Sequence, residues 1–226
     1  MKNLSMSLLL GLLLAMFVAA PVIAQEFDLG GDSSTVEIAA RLKLGQKKFN
    51  RSDWAPVHDH SDLLAVEIEW SWPTTEPHKD GLSDLGLSLV AGIELSSASG
   101  DAAPFSVDMY ATELSVGCRR TWGRVLEDRD PARPRCFMTY VGVGIVVLDI
   151  DLEIIGPGGL DSPSDGGVGA YWEAGIFWQW PATSEETRTE ASNLTIFGVG
   201  IKHSYVDVDV GNADSSNVFL VLGVKF

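Results

Sequence analysis

The sequence predicts an all-β fold: an eight-stranded antiparallel transmembrane β-barrel, apolar outside, with a polar lumen filled by side chains. Three observations carry this. Eight stretches alternate residue by residue between two different faces, as a strand between two environments does. These stretches run about 9–13 residues, which suits a tilted spanning strand of ~9–11 residues better than a soluble strand of ~5–6. The face opposite the apolar one carries acids, bases and glycines, and Arg or Lys facing the hydrocarbon midplane costs ~2–4 kcal/mol.

The elements follow in chain order. Lys2 and the apolar run "SLLLGLLLAMFVAA", with small residues Val22 and Ala24 before the expected cleavage point, make residues 1–24 a secretory signal peptide. As a membrane anchor the run is short of the ~20 residues a spanning helix needs. The first strand run sets Val36, Ile38, Ala40, Leu42 and Leu44 against Glu37, Arg41 and Lys43. The second sets Leu64, Val66, Ile68, Trp70 and Trp72 against Glu67 and Glu69, and the third sets Leu87, Leu89, Ile93 and Leu95 against Gly92 and Glu94.

In the fourth run Tyr110, Leu114, Val116 and Cys118 oppose Glu113, Gly117 and Arg119. In the fifth, Val141, Val143, Ile145 and Val147 are apolar, and the phase then flips to Leu148, Ile150, Leu152 and Ile154. Such a slip predicts a β-bulge. The sixth is the clearest, with Val168 to Trp180 at even positions against Gly169, Glu173 and Gly175. The seventh sets Phe197, Val199, Ile201 and Tyr205 against Gly198, Gly200, Lys202 and Ser204. The eighth, "NVFLVLGVKF", sets Val218, Leu220, Leu222, Val224 and Phe226 against a mixed face that holds Lys225. Segments rich in Pro, Gly, Asn, Asp and Ser separate the runs.

Position matters as much as pattern. If the chain enters from one side, the even-numbered runs all finish there, on Trp72, Trp122, Trp180 and Phe226. That places four aromatic rings at one level, as an interfacial girdle does. Glu37, Arg41, Lys43, Glu67, Glu69, Glu94, Glu113, Arg119, Glu173, Lys202 and Lys225 then face inward as a lumenal ion network.

The net charge is -15, from 31 acids and 16 bases, which argues against nucleic-acid binding. No cofactor and no metal site is expected. Cys118 and Cys136, the only cysteines, read as a disulfide in an exported chain. It would close about 17 residues, worth about 3 kcal/mol. Parity puts Cys118 outward and Cys136 off the outward set, so irregular backbone is expected between them.

With its signal peptide, the glycine-bearing "YVGVGI" and "FGVGIKHSY" and the terminal "LGVKF", the chain resembles the small eight-stranded outer-membrane barrels. These are the barrels of the outer membrane protein A and outer membrane protein W kind. The resemblance covers about residues 34–226, with 25–33 as a periplasmic lead-in. It implies a Gram-negative outer-membrane location, a lipid environment and a monomer. It also implies assembly through periplasmic chaperones and the barrel-assembly machinery, which would read Leu220, Leu222, Val224 and Phe226. The fourth connection, "GRVLEDRDPARPR", is long for a periplasmic turn in that family.

An eight-stranded barrel is only wide enough inside for side chains. A structural or surface-interaction role without a wide pore is therefore the leading reading. A narrow solute channel and a lipid A-modifying enzyme are the alternatives. The candidate chemistry is thin. "HDHSD" brings His58 and His60 together in a loop, and His203 and Ser204 are adjacent where the deacylases of this shape use His-x-Ser. Acids at Asp149, Asp151, Glu153, Asp207 and Asp209 offer oxygen ligands to divalent cations. The chain is not expected to be an enzyme.

Overall fold

The computed structural model describes residues 37–51, 61–71, 82–102, 104–126, 135–181, 194–208 and 211–225. Their strands are β1 (Glu37–Arg51), β2 (Ser61–Ser71), β3 (Leu82–Ala102), β4 (Phe105–Leu126) and β5 (Arg135–Gly156). They continue with β6 (Gly159–Asp161), β7 (Ser164–Pro181), β8 (Leu194–Val208), β9 (Gly211–Asn212) and β10 (Asp214–Lys225). Eight of them form the wall, each antiparallel to its neighbour, in the order β1-β2-β3-β4-β5-β7-β8-β10. Pairing of β10 with both β8 and β1 closes the sheet on itself, so the wall has no free edge to template aggregation. Short β6 and β9 extend the hairpins after β5 and β8. Glu37 and Lys225 lie at one end of the barrel, the terminal end. The β3–β4, β5–β7 and β8–β10 connections lie at the other, the hairpin end.

Alternation decides what each wall residue meets. Leu114, Val116, Val141, Val143, Ile145, Val168, Val199, Ile201, Val218, Leu220 and Leu222 are exposed on the outside. Exposed apolar area this extensive marks a surface built for lipid. On β5 the outward row from Phe137 to Val147 spans ten residues, a belt about 25 Å tall at a strand tilt of ~40°. Trp122 and Trp180 face outward at the terminal end of this belt. Trp178 joins them there, its ring centroid 5.4 Å from Phe137 and 6.4 Å from Phe197. Trp72 and Phe226, the other two expected girdle members, lie outside the described residues, as does the expected signal peptide.

The expected bulge in the fifth run is corrected by the register. β5 pairs with β4 from Arg135 to Ile155 and with β7 from Cys136 to Asp151, without a shift. Val147 points out, Leu148 points in, Asp149 points out and Ile150 points in. The strand keeps its phase while its surroundings exchange. Beyond Val147 the outside is wet, and the inside becomes a dry core of Phe49, Val107, Met109, Val146, Leu148, Ile150, Leu152, Val206 and Val208. The apolar parity therefore jumps from the outer to the inner face without an extra residue.

The strands also exceed the expected spans. β3 has 21 residues and β4 and β5 have 22 each, and the β3–β4 pairing runs out to Ala102 and Phe105. The long fourth connection shrinks to residues 127–134, because β4 runs through Leu126 and β5 starts at Arg135. In the next hairpin Gly159, at φ 118°, occupies backbone space that other residues rarely adopt.

This extension also overturns the disulfide. Cys118 pairs in register with Val143, whereas Cys136 pairs with Val125. The cysteines are thus seven residues apart along the ladder, or about 23 Å at ~3.3 Å per residue. A disulfide needs its Cα atoms within about 7 Å. Cys118 is a free thiol on the outward face.

Candidate functional site

The lumen is where the sequence concentrates chemistry. Inward parity on β1 supplies Arg41, Lys43 and Lys47, and on β2 Glu67 and Glu69. β3 gives Glu94, β4 gives Glu113 and Arg119, β7 gives Glu173 and β8 gives Lys202, all buried. These residues form two layers. Nearer the terminal end, Arg119 donates from Nε to Glu173 at 3.0 Å and from Nη1 to Glu69 at 2.8 Å, and it also holds Glu67. Arg41 donates to Glu67 at 3.0 Å and pairs with Glu69, while Lys43 crosses the lumen to Glu173 at 2.9 Å. Three cations thereby meet three carboxylates.

In the second layer Glu94 and Glu113 are direct cross-strand partners, an arrangement that repels on its own. Lys47 resolves it, bonding Glu94 at 2.7 Å and Glu113 at 2.8 Å. Lys202 pairs with both from the opposite wall. Asn217 donates to both oxygens of Glu94, and Ser204 donates to Glu113. Two cations meet two carboxylates, so each layer is neutral. Bonds that skip strands tie one wall to the other, as Arg119 of β4 does to β2 and β7.

Aromatic rings brace the cations. Arg119 lies over the Tyr140 ring at 4.5 Å, Lys202 over Tyr171 at 4.8 Å and Lys43 over Phe219 at 4.7 Å. Glycine makes room for the two tyrosines. A Cβ at Gly175 would stand 2.5 Å from a Tyr140 ring carbon, and one at Gly117 would stand 2.4 Å from the Tyr171 hydroxyl. Nearer the terminal end, Lys225 pairs with Glu37 beside a small recess lined by Ser71, Ser88, Thr121 and Gln179.

All eleven residues expected in the lumenal network carry an ion pair there, Glu37 and Lys225 at the terminal mouth and the others inside. Lys47 joins the network from beyond the expected end of the first run near Gly45, in the "KKF" stretch that reads as loop by sequence. Extending the same parity through Arg41, Lys43 and Gly45 reaches Lys47 and Phe49.

The two catalytic notions fare differently. His203 and Ser204 point to opposite sides of the wall, Ser204 to Glu113 in the lumen and His203 to Ser216 outside. Adjacent residues on one strand always do so, and they form no pair here. His58 and His60 lie outside the described residues. Asp149, Asp151 and Asp207 are exposed around the hairpin end, Glu153 is half-buried and Asp209 lies outside the described residues; among the described residues no group of acids is arranged to hold a metal ion.

A closed sheet with an apolar exterior and a charged, filled interior inverts a soluble barrel. Only a structure that satisfies every backbone group internally can sit in lipid that way. The chain is a multi-pass β-barrel of the small, eight-stranded outer-membrane class. No family model matches the sequence, and no curated protein matches it. Among solved structures it is similar to Neisserial surface protein A, at 10% identity and a TM-score of 0.44, over 84% of this chain and 95% of that one. It is likewise similar to Ail, the attachment invasion locus protein of Yersinia pestis, solved with the heparin analogue sucrose octasulfate. There the identity is 11% and the TM-score 0.45, over 84% of this chain and 97% of that one. Similarity at this level concerns the fold alone.

Proposed function

We propose that this chain is a closed, non-conducting barrel of the Gram-negative outer membrane that serves as a structural or surface-interaction protein. Its kin would be the outer membrane protein A and W barrels. The observation that carries the reading is the filled lumen: two neutral ion-pair layers under an apolar cap at the hairpin end. A neutral layer offers no net charge to recruit an ion, and the apolar cap offers a permeating ion nothing in place of its water. The hairpin end, with its acidic exterior, faces the cell's surroundings, and the terminal end faces the periplasm. The chain is exported by residues 1–24, handed on by periplasmic chaperones and inserted as a monomer by the barrel-assembly machinery. That machinery reads the alternate residues Leu220, Leu222, Val224 and Phe226 of the last strand. Planar-bilayer recording of the purified chain tests the reading: a flat baseline is expected, and discrete steps that scale with salt would favour the channel alternative.

A further inference from the structure

One outward-facing row breaks the apolar pattern. Trp172 of β7 pairs in register with His203 of β8, His203 with Ser216 of β10, and Ser216 with Lys48 of β1. The His203 ring is held from several sides. Its Nδ1 is 2.8 Å from Ser216 Oγ, its centroid is 4.3 Å from that of Tyr205 at an edge-on 72°, and Trp172 flanks it at 6.1 Å. Trp172 is 38% exposed and Tyr205 51%.

On β1, β8 and β10 the row lies where the belt ends. One outward step toward the terminal end brings exposed Val218 on β10 and exposed Ile201 on β8, and two steps bring Leu44 on β1. Further toward the hairpin end the same faces carry Asp214 and Asp207. A plain lipid-facing wall has no use for an imidazole and, two strands along the same row, an ammonium at this depth.

We propose that Lys48 and His203, the latter oriented by Ser216, bind the phosphate of an anionic lipid in the leaflet around the hairpin end. In the tautomer whose Nδ1 accepts from the Ser216 hydroxyl, Nε2 carries the ring N–H and is the donor to phosphate oxygen. Lys48 supplies the charge, and Trp172 and Tyr205 are the amphipathic rings that sit at headgroup depth. Two features select a lipid over free phosphate. The site is continuous with the apolar belt, so a phosphate there comes with acyl chains along Val218 and Ile201. Asp207 and Asp214 stand on the water side and repel an anion approaching from solution.

The proposal rests on the barrel spanning a membrane, which heat-modifiable gel migration checks separately for each variant. The full chain is placed in phosphatidylcholine nanodiscs doped with phosphatidic acid, and lipid retained on release is counted by native mass spectrometry. The wild type is expected to retain phosphatidic acid selectively. Lys48→Ala with His203→Ala should lower that retention roughly tenfold and leave phosphatidylcholine unchanged. Lys48→Gln alone, a milder surface change, should lower it several-fold. Equal retention by wild type and either heat-modifiable variant overturns the proposal. So does displacement of the lipid by millimolar inorganic phosphate.

Discussion

Glu113 receives Lys47, Lys202 and Ser204 and is itself only 1% exposed. Removing one member of such a network strands the others, which costs about 3–5 kcal/mol. Glu113→Ala should therefore destabilise the barrel by that amount in guanidinium unfolding followed by tryptophan fluorescence. Leu220→Ala on the lipid face should lose far less, since lipid fills the space. Gly175→Ala should cost about 1–3 kcal/mol by pushing Tyr140 off its seat over Arg119, in the same assay. At this scale the sequence is legible where parity is unbroken. Glu67, Glu69 and Glu173 could be placed in the lumen from alternation alone. Their partners could not, because Lys43 bonds Glu173 across the barrel, 130 positions along the chain. Alternation gives a residue's face but not its depth or its reach. Lys47 was lost because a polar pair, Lys47 and Lys48, looks like a loop when each in fact takes a different side of one strand.

On β5 the same alternation serves two solvents in turn. Val143 faces hydrocarbon, so Val143→Arg should cost about 2–4 kcal/mol of unfolding free energy in lipid vesicles. Asp149→Arg, three steps outward along that row, should cost about 0–1 kcal/mol. Leu148 packs inside the cap, and Leu148→Ala should cost about 2–5 kcal/mol. The β4–β5 pair predicts that thiol titration of unreduced, denatured protein finds both cysteines free. A single electrophoretic mobility with and without reductant would agree. The bulge expectation failed for an instructive reason. A phase flip in hydrophobicity has two physical sources, an inserted residue or a change of surroundings, and sequence records them identically. The disulfide expectation failed likewise, because "GRVLEDRDPARPR" looked like loop, whereas part of it continues the ladder and carries the cysteines apart.

As a whole the molecule joins two barrels end to end in one wall: a membrane barrel, apolar out and charged in, and a soluble barrel, polar out and apolar in. The eight runs, their length and their charged inner face made the first half readable from sequence. The second half was hidden, because its inward apolar residues read as strand irregularity. The two halves meet on β5 between Val147 and Leu148. Single cysteines at successive positions 141–152 of β5, placed in a cysteine-free background and spin-labelled in lipid vesicles, measure that boundary directly. Labels at 141, 143, 145 and 147 should collide with oxygen dissolved in lipid. Those at 149 and 151 should collide with a water-soluble nickel complex, and the even positions should stay shielded from both throughout. Lipid access at 148 and 150, with shielding at 149 and 151, would restore the bulge and contradict the account.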